Sequence, residues 1–332
     1  MFKLAGFFGG IGGIELGFEQ AGFDIVWANE FDEKASITYN LNHNHYLHVD
    51  DIHNVEPADM PDTDVIAGGF PCQAFSIAGY RKGFEDDRGN LFFEMLRIIQ
   101  EKKPKVVFLE NVKNLVSHEK GNTYRVIIEA LESNGYHVKD KILNGSEYGN
   151  VPQNRERIYI VAFLEKKHYE KFEFPSPIPL TKKLTDVIDF ENKVDDRFYY
   201  KPEKCIFYDQ LEKDIVSKET IYQWRRKYVR ENKSGVCPTL TANMGTGGHN
   251  VPLIFTDHGI RKLTPKECLN IQGFPNNFKV PEDLAISHLY KQAGNSVVVP
   301  VVYRIAKNIK FALDAFEYKT VDLVTDKVEM SV

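Results

Sequence analysis

The chain has 332 residues, 42% of them hydrophobic and 27% charged, with a formal net charge of −5. This composition suits a soluble globular protein with a substantial core, and the length suits two domains. It excludes collagen-like and disordered classes, no apolar run reaches the roughly 20 residues of a membrane span, and the net acidity means that any nucleic-acid-binding face must be local. The four cysteines, Cys72, Cys205, Cys237 and Cys268, form no Cys-x-x-Cys pair, which argues against a disulfide framework and a zinc site. Met1-Phe2-Lys3-Leu4 runs into glycines and an acid too soon for a signal peptide. The expected compartment is a reducing cytoplasm.

In chain order, residues 3–8 read as a first strand, 9–13 as a glycine turn, and 14–21 as a short helix. Residues 23–28 are a second strand that ends at Asn29-Glu30. The apolar run Asp64-Val65-Ile66-Ala67 has the length and flanks of a buried strand. A helix over 91–101 precedes a strand at 106–109, and a helix over 124–131 precedes strands at 137–143 and 158–163. Strands alternating with helices through short connections predict an α/β fold, with a doubly wound, mostly parallel sheet.

From about 170 to 260 the rhythm breaks into prolines and charge clusters. We read residues 1–185 together with 281–332 as a catalytic and cofactor-binding domain, and 186–280 as a smaller, irregular target-recognition domain. Val297 to Pro300 leads into an amphipathic helix that reaches Phe316, and from about Lys319 the chain reads as a frayed polar tail.

Polar residues gather at the predicted strand ends, where open α/β sheets hold ligands. The turn Phe8-Gly9-Gly10-Ile11-Gly12-Gly13 allows close approach to the backbone, and Glu30, at the tip of the second strand, is placed for a ribose hydroxyl. Spacing alone does not separate a nicotinamide dinucleotide from other adenosine cofactors. Asp51-Ile52 follows, read either as a solvated loop or as an adenine contact. Pro71 stiffens the approach to Cys72, which is either a buried structural thiol or a nucleophile. Glu110 ends an apolar strand, as a turn cap or as an acid in a site. Arg155 and Arg157 share one face if a strand begins there; as surface ion pairs they contribute about 0–1 kcal/mol. Asn295 lies in Gln292-Ala293-Gly294-Asn295-Ser296-Val297 and holds a turn in its plainest reading. His43, His45 and His48 lack an acid or cysteine to complete a metal site and read as solvated.

Taken together these motifs, in this order, resemble a bacterial DNA (cytosine-5-)-methyltransferase of the restriction–modification type, over nearly the whole chain. Phe8 to Gly13 resembles its cofactor loop, Gly69-Phe70-Pro71-Cys72-Gln73 its nucleophile loop, and Glu110-Asn111-Val112 its base-anchoring acid. Gln153-x-Arg155-x-Arg157 resembles the double-arginine motif. Residues 261–275 resemble the segment that organises the recognition domain, and 292–297 the last motif, which folds onto the cofactor. One departure is visible: the family usually has Asp or Ser where this chain has Gly6.

The resemblance implies S-adenosylmethionine as cofactor, no metal, double-stranded DNA as partner, no membrane, and a monomer without an obligate protein partner. It implies catalytic roles for Cys72, Glu110, Arg155 and Arg157, with Glu110 raised in pKa by its pocket, Arg157 on the base or a phosphate, and Arg155 shaping the site by pairing with a carboxylate. Cofactor contacts fall to Phe8, Gly10, Ile11, Gly12, Glu30, Phe31, Asp51, Ile52, Pro71, Leu91, Asn295, Ser296 and Val297. Residues 74–89, read as a closing loop, offer Ser76, Arg81 and Arg88 to DNA beside Gln73. Arg225 and Arg226 sit in the densest cationic-aromatic run of the smaller domain, and Thr239 is expected near the phosphate of an extruded nucleotide. The weighed alternatives are a tRNA enzyme of the same chemistry, an idle DNA-binding protein, and a nicotinamide oxidoreductase.

Overall fold

The computed structural model describes residues 1–71, 91–245 and 251–329, with side chains to residue 316. Cys72, Gln73, Ser76, Arg81 and Arg88 lie outside the described residues, as does the rest of the expected closing loop up to residue 90.

Strand β1 (Lys3–Phe7) leads through the glycine turn into α1 (Gly13–Gln20), then β2 (Asp24–Glu30), α2 (Glu33–Asn42), β3 (Leu47–Val49) and β4 (Val65–Gly68). Helix α3 (Leu91–Lys102), β5 (Val106–Val112), α4 (Asn122–Ser133), β6 (His137–Asn144), α5 (Gly145–Tyr148), β7 (Glu156–Phe163) and α6 (Lys166–Lys171) complete the first half. The seven-stranded sheet has the order β3-β2-β1-β4-β5-β7-β6. Strands β3, β2, β1, β4 and β5 are mutually parallel, and β7 runs antiparallel to both its neighbours. The order reverses at β1, so β1 and β4 part at their carboxyl ends, where a doubly wound sheet opens a crevice.

Period-two alternation sends side chains to both faces. Ala5, Phe7, Ile66, Val107, Leu109, Ile158 and Ile160 pack on one face with Phe92 and Leu96 of α3 and Ile127 of α4. Leu4, Val65, Ala67, Phe108, Tyr159 and Val161 pack on the other with Phe18 of α1. Burial on both sides explains why these strands read as continuous apolar runs.

The second half holds α7 (Tyr208–Asp214), β8 (Tyr222–Trp224), β9 (Val229–Glu231), β10 (Leu253–Thr256), β11 (Gly259–Lys262), α8 (Pro265–Ile271), α9 (Ile286–Asn295) and α10 (Val299–Glu329). The four short strands form an antiparallel sheet in the order β11-β10-β8-β9. Helix α8 starts on a capping box: Thr264 accepts from the Glu267 N–H, and the Glu267 carboxylate returns to the Thr264 N–H. Valines and isoleucines of α10, including Val302, Ile305 and Ile309, pack back onto the main sheet, so the end of the chain belongs to the first layer.

Several expectations are corrected. Helix α2 and strand β3 stand where no element was expected, and the middle region carries a small sheet. Strand β7 begins at Glu156, so Arg155 stands just before the strand and Arg157 within it, and both reach the same cleft. The polar tail expected from Lys319 continues α10 to Glu329.

Candidate active site and cofactor cleft

The turn after β1 is shaped by backbone that side chains resist. Phe8, Gly10 and Gly12 have φ of 55°, 58° and 83°. Glycine suits the last two without strain, whereas a non-glycine residue at such a φ is uncommon. The Gly9 N–H donates to the Asn29 carbonyl at 2.9 Å, tying the turn to the tip of β2. Glu30 accepts from the Gly10 N–H at 2.7 Å and from the Asp32 N–H at 2.8 Å. Burial raises its pKa against those hydrogen bonds, and the carboxylate oxygens keep lone pairs for a further donor.

The glycine at position 6 has a physical explanation. A Cβ there would lie 2.2 Å from Oε1 of Glu15, whose side chain swings under the turn from α1. Glu15 is 1% exposed, its Oε2 has no hydrogen-bond partner among the described residues, and burial pushes its pKa up to about 8. The space beside Gly6 is thus filled by a carboxyl supplied nine residues later in the sequence.

The next two strand ends face this turn. After β4 the chain passes Gly69 and Phe70 to Pro71. Asn111, at the end of β5, donates through Nδ2 to the Phe70 carbonyl at 2.8 Å, and a Cβ on Gly69 would be 3.2 Å from Glu110 Oε2. The approach to Cys72 is therefore held against Glu110 as far as Pro71. Glu110 lies opposite Tyr159 in the β5–β7 ladder, and Arg157 lies opposite Val112. Arg157 is then the diagonal, same-face neighbour of Glu110, with Nε 3.0 Å from Oε1. The N–H is not aimed along that line, and Oε1 makes no directed hydrogen bond. Burial raises the Glu110 pKa, with Arg157 and Arg155 opposing the shift.

Arg155 does not take the carboxylate expected for it. Its guanidinium is buried and donates to the carbonyls of Leu240 at 2.6 Å, Gly294 at 2.9 Å and Ser296 at 2.5 Å. The carboxylate goes to Arg157 instead. A planar fork with several donors suits three converging carbonyls.

These parts line one cleft of about 380 Å³. Phe8, Gly10, Ile11, Glu30, Phe31, Pro71, Leu91, Glu110, Arg155, Arg157, Asn295, Ser296 and Val297 all reach its wall. Phe31 is 67% exposed, an apolar ring left in the open at the mouth. Gly12, Asp51 and Ile52 do not line the cleft. Gly12 packs over His43, Asp51 caps a short turn (Ile52–Asn54), and Ile52 joins the core under the sheet. Lys291 and Gln292 also line the cleft, beyond the contacts expected from the sequence. Lys291 pairs with Asp32 at 2.9 Å, and buried Gln292 accepts from Thr38 and donates to the Lys34 carbonyl. The motif at 292–297 was the available signal, but its latch onto α2 has no local signature.

In the smaller sheet, Arg225 and Arg226 are exposed on the turn between β8 and β9, and exposed Thr239 donates to the Asn154 carbonyl at 2.7 Å. The histidines are not a solvated group. His43 is buried against Tyr39 and lies 3.2 Å from the Ile11 carbonyl, and His45 pairs with the Tyr39 hydroxyl. Among the described residues no cluster of His, Cys, Asp and Glu is placed to hold a metal ion, and no helix is long and apolar enough to cross a membrane.

A family model for C-5 cytosine-specific DNA methylase matches residues 2–311. The chain belongs to this family. It is 64% identical to the type II methyltransferase M.Bsp6I of Bacillus sp. (strain RFL6), over 93% of this chain and 98% of that enzyme. It is 38% identical to the type II methyltransferase M.HhaI of Haemophilus parahaemolyticus, over 94% and 95% of the two chains. The fold matches the crystal structure of a DNMT2 mutant from Spodoptera frugiperda with a TM-score of 0.73 at 21% identity, covering 93% and 99%. Family and relatives together make the chain a DNA cytosine-5-methyltransferase of the restriction–modification kind, on a methyltransferase fold whose sheet is the mixed, mostly parallel one described above.

Proposed function

We propose that the chain transfers a methyl group from S-adenosylmethionine to carbon 5 of a cytosine extruded from a short duplex DNA site, through a covalent bond to Cys72. One observation carries this: the Gly10–Glu30 hydrogen bond and the Glu110–Arg157 pair face the same cleft. An adenosine group and a pyrimidine can therefore lie side by side. Type II methyltransferases among the relatives support duplex DNA over tRNA as substrate.

The cleft residues fit the cofactor. Glu30 has lone pairs for ribose hydroxyls, Phe31 offers an exposed ring for adenine, and at the positive-φ Gly10 no described residue comes within 4 Å of where a Cβ would stand. Asn295, Ser296 and Val297 supply the facing wall. When bound, S-adenosylmethionine supplies a methyl group on a sulfonium whose departure as a neutral thioether takes up the bonding pair.

Carbon 5 of cytosine is a weak nucleophile. A Cys72 thiolate adding to carbon 6 forms the S–C bond and moves the ring's double-bond pair toward carbon 5. Glu110, whose pKa burial raises, donates from its protonated form to ring N3 and accommodates the charge that arrives there. Arg157, beside Glu110, stabilises negative charge on the base carbonyl. The pair on carbon 5 forms the new carbon–carbon bond. Loss of the carbon 5 proton then restores the ring double bond and expels the thiolate. Extrusion costs a few kcal/mol of stacking and pairing. Gln73, Ser76, Arg81 and Arg88, in the segment after Cys72, serve DNA contact and closure. Residues 186–280, with Arg225, Arg226 and Thr239, read the sequence, and the chain works as a monomer.

The test is a duplex with 5-fluorocytosine at the target, incubated with cofactor and resolved under denaturing conditions. A stable protein–DNA adduct is expected from the wild type and none from Cys72→Ser. Absence of the wild-type adduct rules out the covalent route.

A further inference from the structure

The small sheet carries a second cavity that methyl transfer does not use. It has a volume of about 280 Å³ and lies between the end of β11 and residues 197–207. Arg197, Lys201, Lys204 and Lys262 line it with the rings of Tyr200 and Phe207, and its wall contains no carboxylate. Two of the cations are met from outside: Arg197 lies 3.5 Å from Asp195, and Lys201 is 2.9 Å from Asp196, an acid that Lys193 also shares. Lys204 and Lys262 have no ion-pair partner among the described residues.

Lys262 is the informative one. Its sequence neighbour Arg261 points to the opposite face of β11, where Glu267 neutralises it at 2.7 Å. Lys262 is half-buried, its Nζ stands 5.3 Å from the centre of the Tyr200 ring, and burial lowers its pKa. A cation withdrawn from water beside a ring, with no carboxylate partner among the described residues, is a poor choice for a merely structural position. Phe207 forms the cavity's other side and stacks on Trp224 at 4.4 Å and 7°. Trp224 continues directly into exposed Arg225 and Arg226. The cavity and the arginine turn therefore share one rigid aromatic support.

Resting on the duplex-DNA reading above, we propose that this cavity binds a backbone phosphate of the DNA outside the reacting cleft, held by Lys262 and Lys204. A phosphodiester has the right charge and size, and such contacts orient a protein without reading bases.

The test compares wild type with the double variant Lys204→Gln/Lys262→Gln, after matched melting temperatures show that both are folded. Duplex affinity is measured by anisotropy between about 50 and about 200 mM salt. We expect the log–log salt slope to drop by about one to two and affinity to fall several-fold, with turnover at saturating DNA and affinity for S-adenosylhomocysteine unchanged. A slope equal to the wild type overturns the proposal. Inorganic phosphate titrated into the wild type separates the sources: phosphate binding lost in the variant, with an unaltered DNA slope, marks a free-anion site and also overturns it. A wild-type curve without salt-dependent duplex binding overturns the proposal together with the DNA reading, and the wild-type data alone reveal that case.

Discussion

The guanidinium of Arg155 and the carbonyl of Leu240, 85 residues apart, are joined by a 2.6 Å hydrogen bond. The same group holds Gly294 and Ser296 on the cofactor side of the cleft. One buried cation thus pins the Thr239-Leu240 segment to the wall proposed for the cofactor, and either side is placed only when the other is.

Arg155→Met should leave three carbonyls unsatisfied and cost about 3 kcal/mol or more of stability. Denaturant unfolding checks this. Calorimetric titration should also show weakened binding of S-adenosylhomocysteine. Arg155→Lys keeps the charge but not the fork and should fall between.

Glu110→Gln should lower turnover by about 10²–10⁴-fold, the range for a positioned acid, while affinity for S-adenosylhomocysteine stays near the wild-type value. Single-turnover assays at saturating DNA measure the first. Near-normal turnover would remove the proton-donor role.

The glycine turn separates two effects. Gly12→Ala places a Cβ 2.0 Å from His43 Nε2 at a φ of 83°, so it should destabilise the fold by several kcal/mol. At Gly10, with φ 58° and open space around the Cβ, alanine costs about 1 kcal/mol of backbone strain and chiefly weakens cofactor binding. Equal stability losses for the two variants would contradict this division.

Glu15 predicts a pH dependence with a definite sign. Its folded pKa of about 8 lies above the ordinary value of 4.5, so the native state keeps a proton that the unfolded chain has released. The group carries no penalty below the unfolded pKa, and stability falls as pH rises toward about 8, by at most about 1.4 kcal/mol per pH unit. Glu15→Gln should flatten that stretch. Melting curves of both proteins from pH 5 to 9 decide it, and parallel curves would refute the buried protonated state.

The main sheet was legible because its strands are buried on both faces and leave apolar runs that end in a single acid, as β2 does at Glu30. The acid of β5 stood out for the same reason, followed by Asn111. Helix α2 left no such trace: it buries Ala35, Ser36, Thr38 and Tyr39, a face without an apolar stripe. The small-sheet strands, of three or four residues, are too short for a period to repeat. Gly6 looked like a missing polar group until Glu15 was seen to occupy its space.

Sequence by itself determined most strands and helices of the main sheet and the residues at their ends, because backbone geometry repeats every two or 3.6 residues and prints that repeat locally, and its motifs, in their order, pointed to the family. Tertiary structure decided which arginine meets Glu110, what Arg155 holds, where the histidines lie and that Lys262 has no ion-pair partner among the described residues. Those outcomes depend on register between strands and on packing between segments far apart in the chain, and neither carries a local period.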